Sequence, residues 1–189
     1  MPTFEESFAE SATFAREWIV APGMIARNGI LSFAPGPDEG FCVGLTRRAD
    51  FRDFSLTAGV RIMRGAAALV VRALDLERYY MIQFDLVNDP TVVWFHTFSP
   101  DLEEGYRVEL VPSAHVPRLG VWHQMQVVAH GPRFEVYLGE PGGALEHCAS
   151  WMDASNAYQQ GAVGVWQHGG EASEYRAVRL ESLSLSEPR

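Results

Sequence analysis

From Ile30 onward, apolar residues fall at every second position in short runs rich in valine and aromatics. A repeat of two is that of a strand, whose successive side chains point to opposite faces. Phe54 to Ile62 alternates most cleanly, followed by Ala67 to Ala73, Tyr79 to Leu86, Thr91 to Phe98, Tyr106 to Val111, Trp122 to His130 and Arg133 to Leu138. Gly161 to His168 and Arg176 to Leu185 complete the set. Turns are predicted at Met63 to Gly65, Leu74 to Glu77, Asn88 to Pro90 and His130 to Pro132, where Gly, Pro and acidic residues favour reversal. Strands with no helical segments between them favour an antiparallel sandwich over a parallel α/β sheet. The amino-terminal segment is open to two readings. Phe4, Phe8 and Ala12 have helical spacing, whereas Phe4 to Phe8 also reads as an edge strand followed by a loop into Trp18. Asp153 to Gln159 reads as a short helix or a long loop.

The 189 residues suit one domain spanning 1–189, long enough to bury a core without a disulfide or a metal. All 15 basic residues are arginine against 24 acidic ones, for a net charge of -9. The absence of lysine excludes a Schiff base, a pyridoxal anchor and a P-loop phosphate grip. The negative balance argues against nucleic acid and anionic membranes, which are held by dense positive charge. Cys42 and Cys148 lie too far apart for a CxxC site and read as two buried thiols or as one disulfide. No signal peptide is visible and no apolar run reaches membrane-spanning length, so the expectation is a soluble chain, cytoplasmic or exported with its leader removed.

Five stretches, in order, carry a resemblance: Trp18 to Gly23 running into Gly29-Ile30-Leu31; Asp53 to Leu56; Val71-Arg72 with Arg78-Tyr79-Tyr80; Val121 to Gln124 running into Arg133 to Tyr137; and Gly161 to Val165. The chain resembles the concanavalin A-like lectin and glucanase superfamily, and within it the 3-keto-disaccharide hydrolase-like domains. The resemblance implies a jelly-roll sandwich of two curved antiparallel sheets, with a ligand on the concave face of one. The Glu-x-Asp-x-Glu motif of laminarinase-type members is absent. The calcium sites of the superfamily's lectins have their nearest counterpart in Asp85, Asn88 and Asp89, which also read as an ordinary turn. No other metal or cofactor is expected. His123 and His130, an odd number of residues apart, should face opposite sides of their strand, which speaks against a shared metal site.

If the concave face is the working face, Leu69 and Val71 lie behind it, while Val70 and Arg72 lie in front. The polar and aromatic members of each alternation then nominate Gln83, Asp85, Trp94, His96, Arg107, Glu109, Trp166 and His168 beside Arg72. Indoles stack on pyranose rings, and carboxylates, amides and guanidinium groups pair with hydroxyls. Arg72, Gln83, Trp94, Arg107, Trp166 and His168 are therefore candidates for holding a saccharide, with Trp18 and Trp122 left to the core. Asp85, His96 and Glu109 are candidates for chemistry. Asp85 with Glu109 would serve as a hydrolytic carboxylate pair. On a 3-keto sugar, His96 or Asp85 could instead remove the acidified C2 proton while Arg72 steadies the enolate. The leading expectation is a carbohydrate-binding domain. The alternatives are a glycoside hydrolase or lyase acting on a 3-keto-disaccharide and a non-catalytic protein-interaction sandwich.

Overall fold

The structure is a computed structural model that describes residues 4–183. In chain order its elements are β1 (Phe4–Glu6), α1 (Ser11–Glu17), β2 (Trp18–Ile19), β3 (Met24–Arg27), β4 (Ile30–Phe33), β5 (Phe41–Thr46), β6 (Phe54–Arg64) and β7 (Ala66–Ala73). There follow β8 (Tyr79–Asp85), β9 (Asp89–Phe98), β10 (Tyr106–Pro112), β11 (Trp122–His130), β12 (Arg133–Gly139), β13 (Leu145–Met152), β14 (Ala162–His168) and β15 (Ala172–Ser182). Residues 184 and 185, which end the last predicted strand, lie outside the described residues.

The strands form two antiparallel sheets. One runs β13-β12-β11-β6-β15-β4-β3, with β1 also paired to β15; the other runs β10-β9-β8-β7-β14-β5-β2. β6 shows the driving pattern, since Phe54, Leu56, Ala58, Val60 and Ile62 are buried and the residues between them are half-buried. They meet Leu69, Val71, Ile82, Phe84 and Phe95 of the facing sheet in the main core. Gly65, at φ +80°, makes the tight link by which the chain leaves β6 for β7.

β7 and β8 differ from β6, because every residue in both strands is buried. Their second face belongs to a separate apolar cluster of Ala68, Val70, Tyr79, Met81, Phe98 and Trp166. Curvature produces it. β5 and β9 are four strand intervals apart, roughly 19 Å in a flat sheet, yet the rings of Phe41 and Phe98 are 6.0 Å apart. The outer face of the seven-stranded sheet is therefore strongly concave and lined with rings.

Each reading of the amino terminus holds in part: Phe4–Glu6 is an edge strand and Ser11–Glu17 a helix. Phe8, at φ +56°, separates them and packs on Phe14 and Trp18 at 5.7 and 5.9 Å. Residues 153–159 form a loop. Cys42 and Cys148 are buried and not bonded to each other. His123 is buried and His130 exposed, on opposite sides of β11. Trp18 is core, but Trp122 lies on the outer face of the larger sheet between the guanidinium groups of Arg61 and Arg176, at 4.7 and 4.3 Å.

Candidate functional site: the concave face

Strand register builds the concave face row by row. Val43, Trp166, Ala68, Gln83, Trp94 and Leu110 are successive partners across the sheet. Gly164, Val70, Met81, His96 and Val108 form the next row, and directly opposed residues share a face. Gln83, Trp94, His96 and Trp166 thus lie on one surface, with Asp85 and His168 toward one end. Gly164 stands where β14 and β5 approach so closely that a Cβ would strike the Gly44 carbonyl.

His96 is the most unusual group on this floor. It is 9% exposed, its ring stacks between Trp94 at 6.1 Å and Phe98 at 5.8 Å, and neither ring nitrogen has a hydrogen-bond partner. Burial drives its pKa down to about 4, and the charge of Asp85 opposes that only weakly. At neutral pH it is an uncharged imidazole with one donor and one acceptor unused. The buried indole Nε1 of Trp166 makes no well-formed hydrogen bond either, although it lies close enough to the Tyr79 hydroxyl to act on it. Unmade hydrogen bonds of this kind cost about 1–3 kcal/mol each; the Trp18 and Trp151 indoles of the main core are also unpartnered, and His96 differs from them in leaving both a donor and an acceptor unused on the outer, concave face. The half-buried rings of Trp94 and Tyr106 flank His96 at 6.1 and 6.0 Å.

Asp85 is largely committed to its own turn. One carboxylate oxygen accepts the Val87 and Asn88 amides at 2.8 and 2.9 Å, and the other accepts Asn88 Nδ2 at 2.6 Å. Asp89 accepts the amide and hydroxyl of Thr91 at 2.9 and 2.6 Å. Calcium takes six to eight oxygens; here both oxygens of Asp85 and Oδ1 of Asp89 already accept donors of the turn. Among the described residues no group of three or more His, Cys, Asp or Glu side chains is placed to hold a metal.

Three of the nominated residues are not on this face. Arg72 has φ +50° at a bulge where β7 spends one residue more than β14, so it turns inward behind the sheet. Only 1% exposed, it donates to the carbonyls of Arg52, Gly131 and Tyr158, pairs with Asp53 at 3.1 Å and covers the Phe134 ring. It cannot steady an enolate in the groove. Arg107 and Glu109 pair with Thr97 and Phe95, so they face away from His96. Arg107 reaches the buried Asp153 at 3.2 Å. The Asp85–Glu109 pair is thus divided between the two faces of the sheet, which rules it out as a hydrolytic pair.

The structure adds residues that sequence reasoning missed. Tyr79 and Phe98 share the parity of Gln83 and His96, so their alternation was a usable signal. Phe41 belongs to β5, a strand that had not been predicted. Glu171, in the turn between β14 and β15, accepts Gln167 Nε2 and the His168 amide at 3.2 and 3.1 Å. Burial raises its pKa, the His168 bond opposes the rise, and Asp85 adds to it.

No family model matches the sequence, and no curated protein matches it. Solved structures do. The carbohydrate binding module CBM66 from Bacillus subtilis aligns at a TM-score of 0.65 and 17% identity over 88% of this chain and 96% of that one. The exoplasmic/lumenal domain of VIP36 in its Ca2+/Man-bound form aligns at 0.67 and 11% identity over 92% and 86%. A protein from Parabacteroides distasonis, described provisionally as a glycosyl hydrolase, aligns at 0.61 and 15% over 89% of each chain. At such identities the likeness is one of fold. The two curved antiparallel sheets and these neighbours give the chain the concanavalin A-like sandwich fold that its order of motifs implied.

Proposed function

We propose that the chain binds a saccharide on the concave face of the seven-stranded sheet. The observation that carries the reading is the set of polar atoms without a well-formed hydrogen bond, both nitrogens of His96 and Nε1 of Trp166, buried in a ring-lined floor. A pyranose meets both halves of that requirement, because its apolar face stacks on aromatic rings while its hydroxyls donate and accept. The neutral state of His96 suits an uncharged polyol, since its nitrogens can accept one hydroxyl proton and donate to another oxygen. The neighbours of this fold include a carbohydrate binding module and a mannose-bound lumenal domain, which makes the reading consistent with what the fold does elsewhere.

A glycan array followed by calorimetry on its hits tests the proposal. Binding should be saturable and should weaken at least about tenfold in Trp166→Phe, which keeps an aromatic ring and removes the Trp166 indole donor. An array without a hit, or undiminished affinity in that variant, defeats it.

A catalytic reading has one observation of its own. Burial raises the pKa of Glu171 and Asp85 adds to the rise, and a carboxyl group shifted upward is the equipment of a general acid. Turnover of glycosides or 3-keto-glycosides that is lost in Glu171→Gln would establish it. Turnover unchanged in that variant would refute the role of Glu171.

A further inference from the structure

A cleft of about 300 Å³ opens on the concave side near the loops that follow β7 and β9, next to the His96 floor, with which it shares the rings of Phe98 and Tyr106. Four rings form much of the wall: Phe41, Tyr79, Phe98 and Tyr106. Phe98 is central, 4.6 Å from Tyr79, 5.5 Å from Tyr106 and 6.0 Å from Phe41. Glu77 and Glu104 also line the cleft, and no basic side chain does. The nearby Arg78 is held by Asp75 through Nε at 2.8 Å, so its charge is already matched. Neither Glu77 nor Glu104 has a side-chain hydrogen bond or an ion pair among the described residues.

We propose that this cleft binds an organic ammonium group, quaternary or protonated. The faces of aromatic rings carry the negative end of their quadrupole, so a set of rings around a cavity attracts a soft cation. Two unmatched carboxylates at the same opening strengthen that attraction, and the chain's net charge of -9 acts in the same direction at longer range. A neutral apolar ligand would cover part of these carboxylates with nothing to replace their water. A carboxylate, sulfate or phosphate ligand would be repelled outright. The cleft lies beside the His96 and Trp166 floor, so its occupant is a ligand, or a part of a ligand, other than the pyranose.

Titration with choline, set against the neutral alcohol in which carbon replaces its nitrogen, tests the charge requirement at fixed shape. Calorimetry should show saturable choline binding and at least about tenfold weaker binding of the alcohol, in line with a desolvated cation–π contact. Glu104→Gln, at an exposed loop position, should keep the wild-type thermal midpoint and weaken choline several-fold while leaving the alcohol unchanged. Tyr106→Leu should weaken choline as well. No choline binding at millimolar concentration, equal binding of the alcohol, or undiminished choline affinity in Glu104→Gln would each overturn the proposal. Glu104→Gln leaves His96 and Trp166 in place, so glycan binding in that variant reports on the saccharide site separately.

Discussion

His96 and Arg72 show how differently a buried polar residue can be treated. Arg72 is fully provided for, with three carbonyls, a carboxylate and an aromatic face around it, and its guanidinium ties β7 to the loops after β5 and β11. Removing it would strand Asp53 and those carbonyls. Arg72→Ala should therefore lose about 3–5 kcal/mol in denaturant unfolding, the range expected when one partner of a buried pair is deleted. His96 has no partner, and that predicts the opposite sign. His96→Phe should gain about 1 kcal/mol and raise the thermal midpoint by roughly 2–4 °C for a chain of this size, while weakening any saccharide bound there. Because its folded pKa of about 4 lies below the unfolded value near 6.5, the unfolded chain takes up the proton first. Wild-type stability should fall as pH drops from about 6.5 to 4, and His96→Phe should flatten that slope. Asp153 acts lower on the scale. Burial would raise it, but bonds from Ser155, Tyr80 and the Ala157 amide bring it to about 2, so its contribution is present above about 3.8 and is lost as pH falls through 2.

At the level of elements, alternation located most strands but not the phase of each. β8 was legible because Ile82 and Phe84 had to be core, which left Gln83 and Asp85 on the other side, whereas β9 is apolar or aromatic on both faces and only His96 indicated its phase. β10 was not. The assignment of Arg107 and Glu109 to the groove assumed that polar residues face a ligand, yet register directs Tyr106, Val108 and Leu110 there. The phase of that edge strand is set by the loop at 99–105, which no periodicity reports. Arg72 failed for a different reason, since a one-residue bulge at a left-handed φ reverses the side expected from parity. β5 and β13 were missed because Gly44 interrupts one and a bulge puts both Cys148 and Ala149 inside in the other. The β8–β9 turn carries a prediction of its own. With both oxygens of Asp85 and one of Asp89 taken by donors of the turn, chelation should leave the thermal midpoint where it was, and a calcium-dependent rise of several degrees would contradict that account of the turn.

Across the whole molecule, the sandwich separates stability from binding. The larger sheet and the inner face of the smaller one make the main core, while the outer face of the smaller sheet is bowed until rings from strands four intervals apart touch. That second, ring-lined surface does not serve the joining of the two sheets, and it holds both unpartnered nitrogens of His96. Among the described residues no helix is long and apolar enough to cross a membrane. The arginine-only charge pattern, which first drew attention to Arg72 and Arg107 as ligand-holding forks, resolves into scaffold pairing for both. The chemistry of the concave face rests on imidazole, indole and carboxylate groups.

The claim that this face is the binding surface is tested most directly by following the five tryptophan indole N–H signals by NMR while a glycan from the array is added. The Trp166 signal should move and saturate with the binding curve, because that donor would turn to the ligand, while the signal of Trp122 on the opposite sheet stays still. Saturable binding that shifts Trp122 and leaves Trp166 unmoved would place the ligand elsewhere and contradict the account.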